Sequence, residues 1–348
     1  MTDRNAATTA QTPDPREVVR QVLAGLRPLV TMERDGLVLI AIAKVPDTGS
    51  IKADEPTDPG YLTFEAAAAG GLGEVTEIGH GRVPAVEAKT KDRPVVFFAG
   101  DTIVGGKQNR VVNVTVWLAA AAKTTLPVTC LEMGRWDPGS AARFGAGRKA
   151  DYALRAMLSR QVAEHARARS PSEPEPMARY AADQGAVWSE IDERQARAGA
   201  RSRTAALHDL YASEADELAD VERAFPRPDG AVGLAVAVGG RVISLELVHD
   251  PGAFATLWPR LVEGAVSAHL DFRRAIRAQL VPAPRHRFPD EGALGRLLER
   301  ARVALVDATV APSVGEGTDV RLAGPKVVGS ALVRAGRLVH LELFRAEA

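Results

Sequence analysis

Two stretches of this chain nearly repeat each other, and the repetition restricts what it can fold into. Residues 231–250 read AVGLAVAVGGRVISLELVHD, and residues 327–346 read VVGSALVRAGRLVHLELFRA. Gly233/Gly329, Ala235/Ala331, Gly240/Gly336 and Arg241/Arg337 align, as do Leu245-Glu246-Leu247 and Leu341-Glu342-Leu343. In each copy two apolar runs flank a glycine turn, which is the pattern of a β-hairpin. Between the copies, Pro251 to about Ala278 has a helical period, with Phe254, Leu257, Trp258, Leu261 and Phe272 on the inward side. The simplest arrangement is one sheet holding both hairpins, packed on that helix. Ancestral duplication is the alternative account of the repeat.

The rest of the chain divides by pattern. Residues 1–13 are polar and read as a disordered tail. Asp14-Pro15 opens a helix, with Asp14 as cap and Pro15 at the first helical position. Leu37–Val45 reads as a buried strand ended by Pro46. Tyr61–Ala69 reads as a short helix capped by Thr63. Val95–Val104 and Arg110–Ala119 read as strands flanking Gly105-Gly106, and Leu126–Met133 as another. In the second of these, Val112, Val114, Val116 and Leu118 share one face, and Asn113 and Thr115 the other. Short, turn-linked strands of this kind imply a sandwich or open barrel. The pattern turns helical at Asp137: helices are expected over Arg148–Arg167, Gln184–Arg197 and Thr204–Ala224, with a proline-rich break at 170–176. The expected class is therefore α+β: a mainly-β part over 14–136, a helical segment over 137–228, and an α+β part with the hairpins over 229–348.

Composition narrows the functional classes. Hydrophobic residues make up 46% and charged residues 25% of the 348, enough for a core without metal or disulfide. The 44 basic and 44 acidic residues cancel, so no general attraction to nucleic acid or an anionic membrane is expected. The single cysteine, Cys130, allows no intramolecular disulfide and suits a reducing compartment. No apolar run approaches the roughly 20 residues that span a bilayer, and the start lacks a signal-peptide pattern. A soluble, cytoplasmic protein is expected.

The densest polar and glycine pattern inside apolar strands lies between Gly100 and Trp136. It comprises Gly100-Asp101, Gly105-Gly106-Lys107-Gln108-Asn109-Arg110 and Pro127-Val-Thr-Cys130-Leu-Glu132-Met-Gly-Arg135-Trp136. Glycines let a backbone approach a ligand, and turn amides hold anions. Lys107, Arg110 and Arg135 supply positive charge, Gln108 and Asn109 both donate and accept, and Trp136 offers a stacking face. Such a set suits a phosphorylated or nucleotide-like ligand. The plainer alternative is a hairpin turn with Arg110 paired to Asp101 or Glu132. Cys130 and Glu132 share a strand face, which makes Cys130 a weak candidate nucleophile and Glu132 or Asp101 a weak candidate base. No cofactor is called for. The seven histidines show no metal-ligand spacing, so no metal is expected. Gly100 to Lys107 misses P-loop spacing by one and leads into a strand. Gly145-Ala-Gly147-x-x-Ala150 matches a dinucleotide fingerprint only on paper, since it opens a helix with no strand before it.

Several of these elements occur in a known family. Tyr61-Leu-Thr-Phe-Glu65-Ala66, Val75-Thr-Glu77, Gly81-Arg-Val-Pro84, Gly100-Asp101, the Gly105–Arg110 run and the Pro127–Trp136 run appear in order. The chain thereby resembles the ADP-ribosylglycohydrolase- and rhodanese/phosphatase-superfamily-associated protein domain, most specifically over 36–136. Asp101 stands where that pattern has Glu, and Gly106 where it has Ala. The resemblance implies an association with domains that process ADP-ribose conjugates or transfer sulfur and phosphate, and it carries no catalytic residue set.

Three functional expectations follow, in order. The first is an accessory or ligand-binding module whose site is Gly105, Gly106, Lys107, Gln108, Asn109, Arg110, Arg135 and Trp136, taking an ADP-ribose-like, nucleotide or other phosphorylated ligand. The second is a hydrolase with Glu132 or Asp101 as base. The third is an interaction scaffold working through the 148–224 helices.

Overall fold

The computed structural model describes residues 13–44, 60–136, 142–169 and 176–346. All but the last residue of the expected tail, the stop at Pro46, the change at Asp137 and the proline-rich break before Pro176 lie outside the described residues.

The chain opens with helix α1 (Pro15–Gly25), strand β1 (Leu26–Arg34) and strand β2 (Leu37–Lys44). Asp14 caps α1 through its carboxylate, which accepts from the Arg16 amide at 2.9 Å. Next come β3 (Leu62–Thr63), α2 (Phe64–Ala69), β4 (Gly73–Arg82), β5 (Ala85–Thr90), β6 (Val95–Phe97) and β7 (Asp101–Gly105). They are followed by β8 (Arg110–Val112), β9 (Val116–Leu118), β10 (Lys123–Cys130) and β11 (Arg143–Lys149). The helical run contains α3 (Tyr152–Ala168), α4 (Pro176–Arg179), α5 (Gln184–Ala198), α6 (Leu207–Ser213) and α7 (Ala215–Glu222). The hairpin β12 (Gly233–Val238) and β13 (Arg241–Val248) leads into α8 (Pro251–Arg277). The chain closes with α9 (Ala293–Ala304), β14 (Thr309–Pro312), β15 (Thr318–Gly324), β16 (Val327–Arg334) and β17 (Arg337–Arg345).

The two repeated hairpins lie in one sheet, ordered β1-β2-β12-β13-β17-β16-β15-β14. Each half is a helix followed by four antiparallel strands: α1 with β1, β2, β12 and β13, then α9 with β14 to β17. The first half is interrupted between β2 and β12 by everything from β3 to α7. The halves meet where β13 pairs with β17, and there Glu246 faces Glu342, its own counterpart in the repeat. A local two-fold therefore passes between these carboxylates. On one face of the sheet, Ile40, Ala235, Leu245, Leu341 and Leu343 pack under α1 and α9. On the other, α8 covers the first half through Phe254, Leu257 and Leu261 against Leu39, Leu234 and Val236, while α3 lies over the second half. The helix between the repeats thus packs chiefly on the earlier hairpin.

The inserted β region is a closed barrel, β10-β5-β4-β11-β7-β8, beside a small sheet β3-β6-β9. Several expectations are corrected here. The strand expected over 95–104 breaks at Gly100, which adopts φ +81°. The Asp101 carboxylate accepts from the Phe98 amide at 3.0 Å and completes the turn. The strand over 110–119 breaks at Asn113–Thr115 for the same reason, since these side chains bond to Tyr180, Thr129, Ala99 and His340 instead of facing water. The strand at 37–44 pairs with β12, not with the barrel. Residues 143–149 are strand β11, so the Gly145–Ala150 match begins no helix; α3 starts at Tyr152 under its Asp151 cap. The helix expected over 204–224 divides at Glu214. Among the described residues no helix is long and apolar enough to cross a membrane.

Barrel and sheet are joined by buried charge. Arg155 of α3 contacts Glu246, and its NH2 lies 3.0 Å from Glu342 Oε2. Lys149, ending β11, donates to the Ala99 carbonyl at 2.8 Å and lies 3.3 Å from Glu246 and 3.4 Å from Asp101. Arg260 of α8 reaches Asp101 at 3.1 Å. Ser330 donates to Glu342 at 3.0 Å. Burial alone would raise the Glu246 carboxyl, but Arg155, Lys149 and His340 hold it well below its ordinary 4.5. Burial pushes the Lys149 ammonium down.

Removing one partner from such a cluster leaves an uncompensated buried charge, which costs about 3–5 kcal/mol. Arg155→Met is therefore expected to lower the free energy of unfolding in urea by an amount in that range, and adding Glu342→Gln should recover part of it. Full stability of the single variant in equilibrium unfolding would show that Arg155 does not balance the pair. The pH dependence has a definite sign. A carboxyl depressed in the folded state stabilises above its ordinary value and loses that contribution below it. The unfolding midpoint should therefore fall as pH drops below about 4.5, and a flat profile to pH 3 would contradict the assignment.

Candidate functional site

The two polar runs singled out in the sequence do meet, at one end of the barrel. β7 ends at Gly105, a tight turn carries Lys107 and Gln108, and β8 begins at Arg110. β10 pairs with β8 so that Cys130 lies opposite Arg110, and the chain beyond Cys130 brings Glu132, Arg135 and Trp136 over the same end. β4 supplies Glu77, which pairs with Arg110 across the barrel.

Most of these groups hold each other. Gln108 Nε2 donates to the Glu132 carbonyl at 2.8 Å. Arg135 Nε and NH2 both reach Glu132 Oε2, at 2.9 and 2.8 Å, and its NH1 reaches the Gly106 carbonyl at 3.0 Å. Glu132 also accepts from Thr204 Oγ1 at 2.8 Å and from the Asn109 amide at 3.3 Å. Burial pushes the Glu132 carboxyl up, but the bonds from Arg135, Thr204 and Asn109 hold it below its ordinary value. Asn109 Oδ1 accepts from the Gly105 amide at 3.0 Å, and the Gly106 amide is spent on the Arg143 carbonyl. The glycine corner therefore presents no empty anion nest. Gly106 is a glycine because a side chain there would run into the Phe144 ring. Gly100 likewise makes room for the stem of Arg155, whose Cδ a Cβ would meet at 2.7 Å. A cavity of about 10 Å3 beside Asn109, Leu131 and Tyr211 has room for one water.

Asp101 is not at this end. It begins β7, at the opposite end of that strand, and sits in the barrel–sheet charge cluster at 1% exposure. Asp101 does not pair with Arg110. The carboxylate beside Arg110 is Glu77, with Oε1 3.7 Å from NH2. Cys130 is fully buried, and burial pushes its thiol up to about 11 despite the nearby Arg110.

Three features remain open. Arg110, 0% exposed, uses NH1 on the Gln108 carbonyl at 2.9 Å and side chain at 3.3 Å, while Nε and NH2 have no hydrogen-bond acceptor. Glu77 Oε1 accepts from the Lys107 amide at 2.9 Å, while Oε2 has no donor. Trp136 is 44% exposed, with its ring 6.0 Å from the Arg110 guanidinium and 5.2 Å from Lys107 Nζ. Across this end Lys107, Arg110 and Arg135 outweigh Glu77 and Glu132 by one positive charge.

A second constellation gave no signal in the sequence. Thr115 Oγ1 lies 2.8 Å from His340 Nδ1, and His340 Nε2 lies 3.1 Å from Glu246 Oε1. The order hydroxyl, imidazole, carboxylate is that of an activated nucleophile. Here the Thr115 oxygen also accepts from the Ala99 amide at 3.1 Å, and all three side chains are buried. The chain is part of the barrel–sheet junction. Its members come from β17, β13 and the link between β8 and β9, so no local spacing could reveal it.

The raised thiol has a direct consequence. Moving from 9.0 to about 11 leaves roughly a hundredfold less thiolate at neutral pH, before steric shielding is counted. Native protein should alkylate at Cys130 at least that much more slowly than protein in denaturant. Rapid, complete labelling of the native chain by iodoacetamide at pH 7.5 would overturn the buried-thiol assignment.

The family model of the ARG and Rhodanese-Phosphatase-superfamily-associated Protein domain matches residues 46–344. No curated protein and no solved structure matches the chain. The match takes in the barrel, the helical run and both repeated hairpins, so it reaches well past the region where the sequence motifs are most specific. The family's description records an association and names no reaction. The chain belongs to the ARG and Rhodanese-Phosphatase-superfamily-associated Protein domain family.

Proposed function

We propose that this protein is a non-catalytic binding module, and that the mouth of its barrel takes a small phosphorylated ligand. The observation that carries the reading is the free edge of Arg110: two buried guanidinium nitrogens without an acceptor, beneath a half-exposed tryptophan. A buried donor without a partner is costly, and an oxyanion matches the fork of a guanidinium. Lys107 and Arg135 at the rim favour a negative ligand, and Trp136 offers a face to a ring. The family association makes ADP-ribose-like and nucleotide ligands the first to test, and a cytoplasmic setting suits the single free thiol.

The geometry weighs against the other two readings. Glu132 is tied by Arg135, Thr204 and Asn109, and Asp101 by Lys149 and Arg260, so neither carboxylate is free to take a proton from water. Leu158, Ile191 and Leu210 of α3, α5 and α6 are buried within the protein, which weighs against an apolar docking stripe along those helices.

Binding to the folded state raises the melting temperature by linkage. Millimolar phosphate, AMP, NAD or ADP-ribose should raise it by a few degrees, and Arg110→Lys should abolish the shift. If none of these compounds moves the transition of the wild-type chain, the reading fails.

A further inference from the structure

The two orphaned groups inside the barrel mouth have opposite hydrogen-bonding character, and together they define a ligand more narrowly than charge alone. Nε and NH2 of Arg110 form the side-on edge of the guanidinium, a fork of parallel N–H donors that fits two oxygens of one oxyanion. Both are buried without an acceptor; the nearest carboxylate oxygen, Glu77 Oε1, is 3.7 Å from NH2. Across from them Glu77 Oε2 is an acceptor without a donor. Glu77 cannot turn to serve Arg110 with both oxygens while Oε1 holds the Lys107 amide at 2.9 Å.

An occupant that satisfies both must offer two acceptor oxygens and one hydrogen. Sulfate has the oxygens but no hydrogen at neutral pH. A carboxylate has the same deficiency. The bridging pyrophosphate of ADP-ribose has none either, because each phosphorus carries one ester and one anhydride link, and its one acidic site is ionised at neutral pH. A bare oxygen against Glu77 Oε2 would set two negative charges in contact, with the hydrogen bond still unmade. A phosphate monoester differs: its second proton leaves at a pKa near 6, so one proton is available to lie between a phosphoryl oxygen and Glu77.

We propose that the barrel mouth recognises the terminal phosphate of a phosphomonoester. Arg110 Nε and NH2 take two of its oxygens, and Glu77 Oε2 shares a proton with a third. Trp136, 44% exposed, holds its ring 6.0 Å from the Arg110 guanidinium, with Lys107 and Arg135 nearby. This rests on the binding-module reading and narrows it from phosphorylated ligands in general to those with a free phosphate end.

The test compares inorganic phosphate, sulfate and ADP-ribose by isothermal titration at pH 6.5 on the full chain. Wild-type protein is expected to bind phosphate at least about thirtyfold more tightly than sulfate, since the wrong anion leaves a buried acceptor unpaired beside a like charge. AMP, with its free phosphate end, should bind more tightly than ADP-ribose. Glu77→Gln keeps the acceptor for the Lys107 amide and replaces Oε2 with a donor. It should shrink the phosphate preference to about threefold or less by admitting sulfate. Equal binding of phosphate and sulfate by wild-type protein would overturn the proposal with no variant needed. So would an unchanged preference in folded Glu77→Gln. Tight ADP-ribose binding with weak phosphate binding would overturn the monoester assignment while leaving the binding module standing. Binding of none of the probes would remove the module as well.

Discussion

The architecture turns on a pair of like charges that should not be neighbours. Glu246 and Glu342 stand directly opposite each other on adjacent strands at the centre of a buried sheet face. Cross-strand like charges destabilise even where water screens them. Here the pair is tolerated because Arg155 lies against both, with Lys149, His340 and Ser330 completing the shell. The two strongest cations come from outside the sheet. Lys149 ends the last barrel strand, and Arg155 lies in the first turn of the helix that follows it. The sheet therefore cannot bury this face without the inserted barrel docked in one orientation. Asp101 and Arg260 extend the same arrangement and keep three carboxylates matched by three cations. An apolar layer could hold the two parts together as strongly. What the charged layer requires is that these particular partners meet.

The repeat was legible because its signals are local. Alternation and a glycine turn read the same in either copy, and both copies form the hairpins they suggest. The family elements were legible too, because rare residues coincide in order. What could not be read was the identity of distant partners. The strand at 37–44 alternates no differently whether it joins the barrel or pairs with β12 nearly 200 residues later. Asn113 and Thr115 look like the wet side of a strand, yet both are buried and bonded to Tyr180 and His340. Alternation separates polar from apolar positions and cannot distinguish water from a buried partner. That same ambiguity concealed the breaks at Gly100 and Asn113.

The mouth shows the same limit at the level of chemistry. Residue types were readable and their assignments were not. Gly100 appeared to admit a ligand and admits the stem of Arg155. Arg135 and Glu132 appeared available and are tied to each other. Glu77 drew notice only within a family motif, because nothing in Val75-Thr-Glu77 says that its carboxylate enters the barrel beside Arg110. The residues left with unmet hydrogen bonds are set by what their neighbours have already taken, and that is a property of the packed structure.

The mouth and the junction lie at opposite ends of the short strand β7, whose five residues span about 15 Å. Asp101 is fixed at one end by Lys149 and Arg260, and Gly105 at the other leads into the turn before Arg110. The junction thus clamps the base of the barrel. Arg110 cannot swing away to pair elsewhere, because both NH1 bonds run to Gln108, whose own side chain is bonded to the Glu132 backbone. A guanidinium held in place, with one edge lacking a hydrogen-bond acceptor, has already lost the rotamer freedom that any binding there would otherwise cost. In the binding module proposed above, Arg110 would thus be oriented before a ligand arrives.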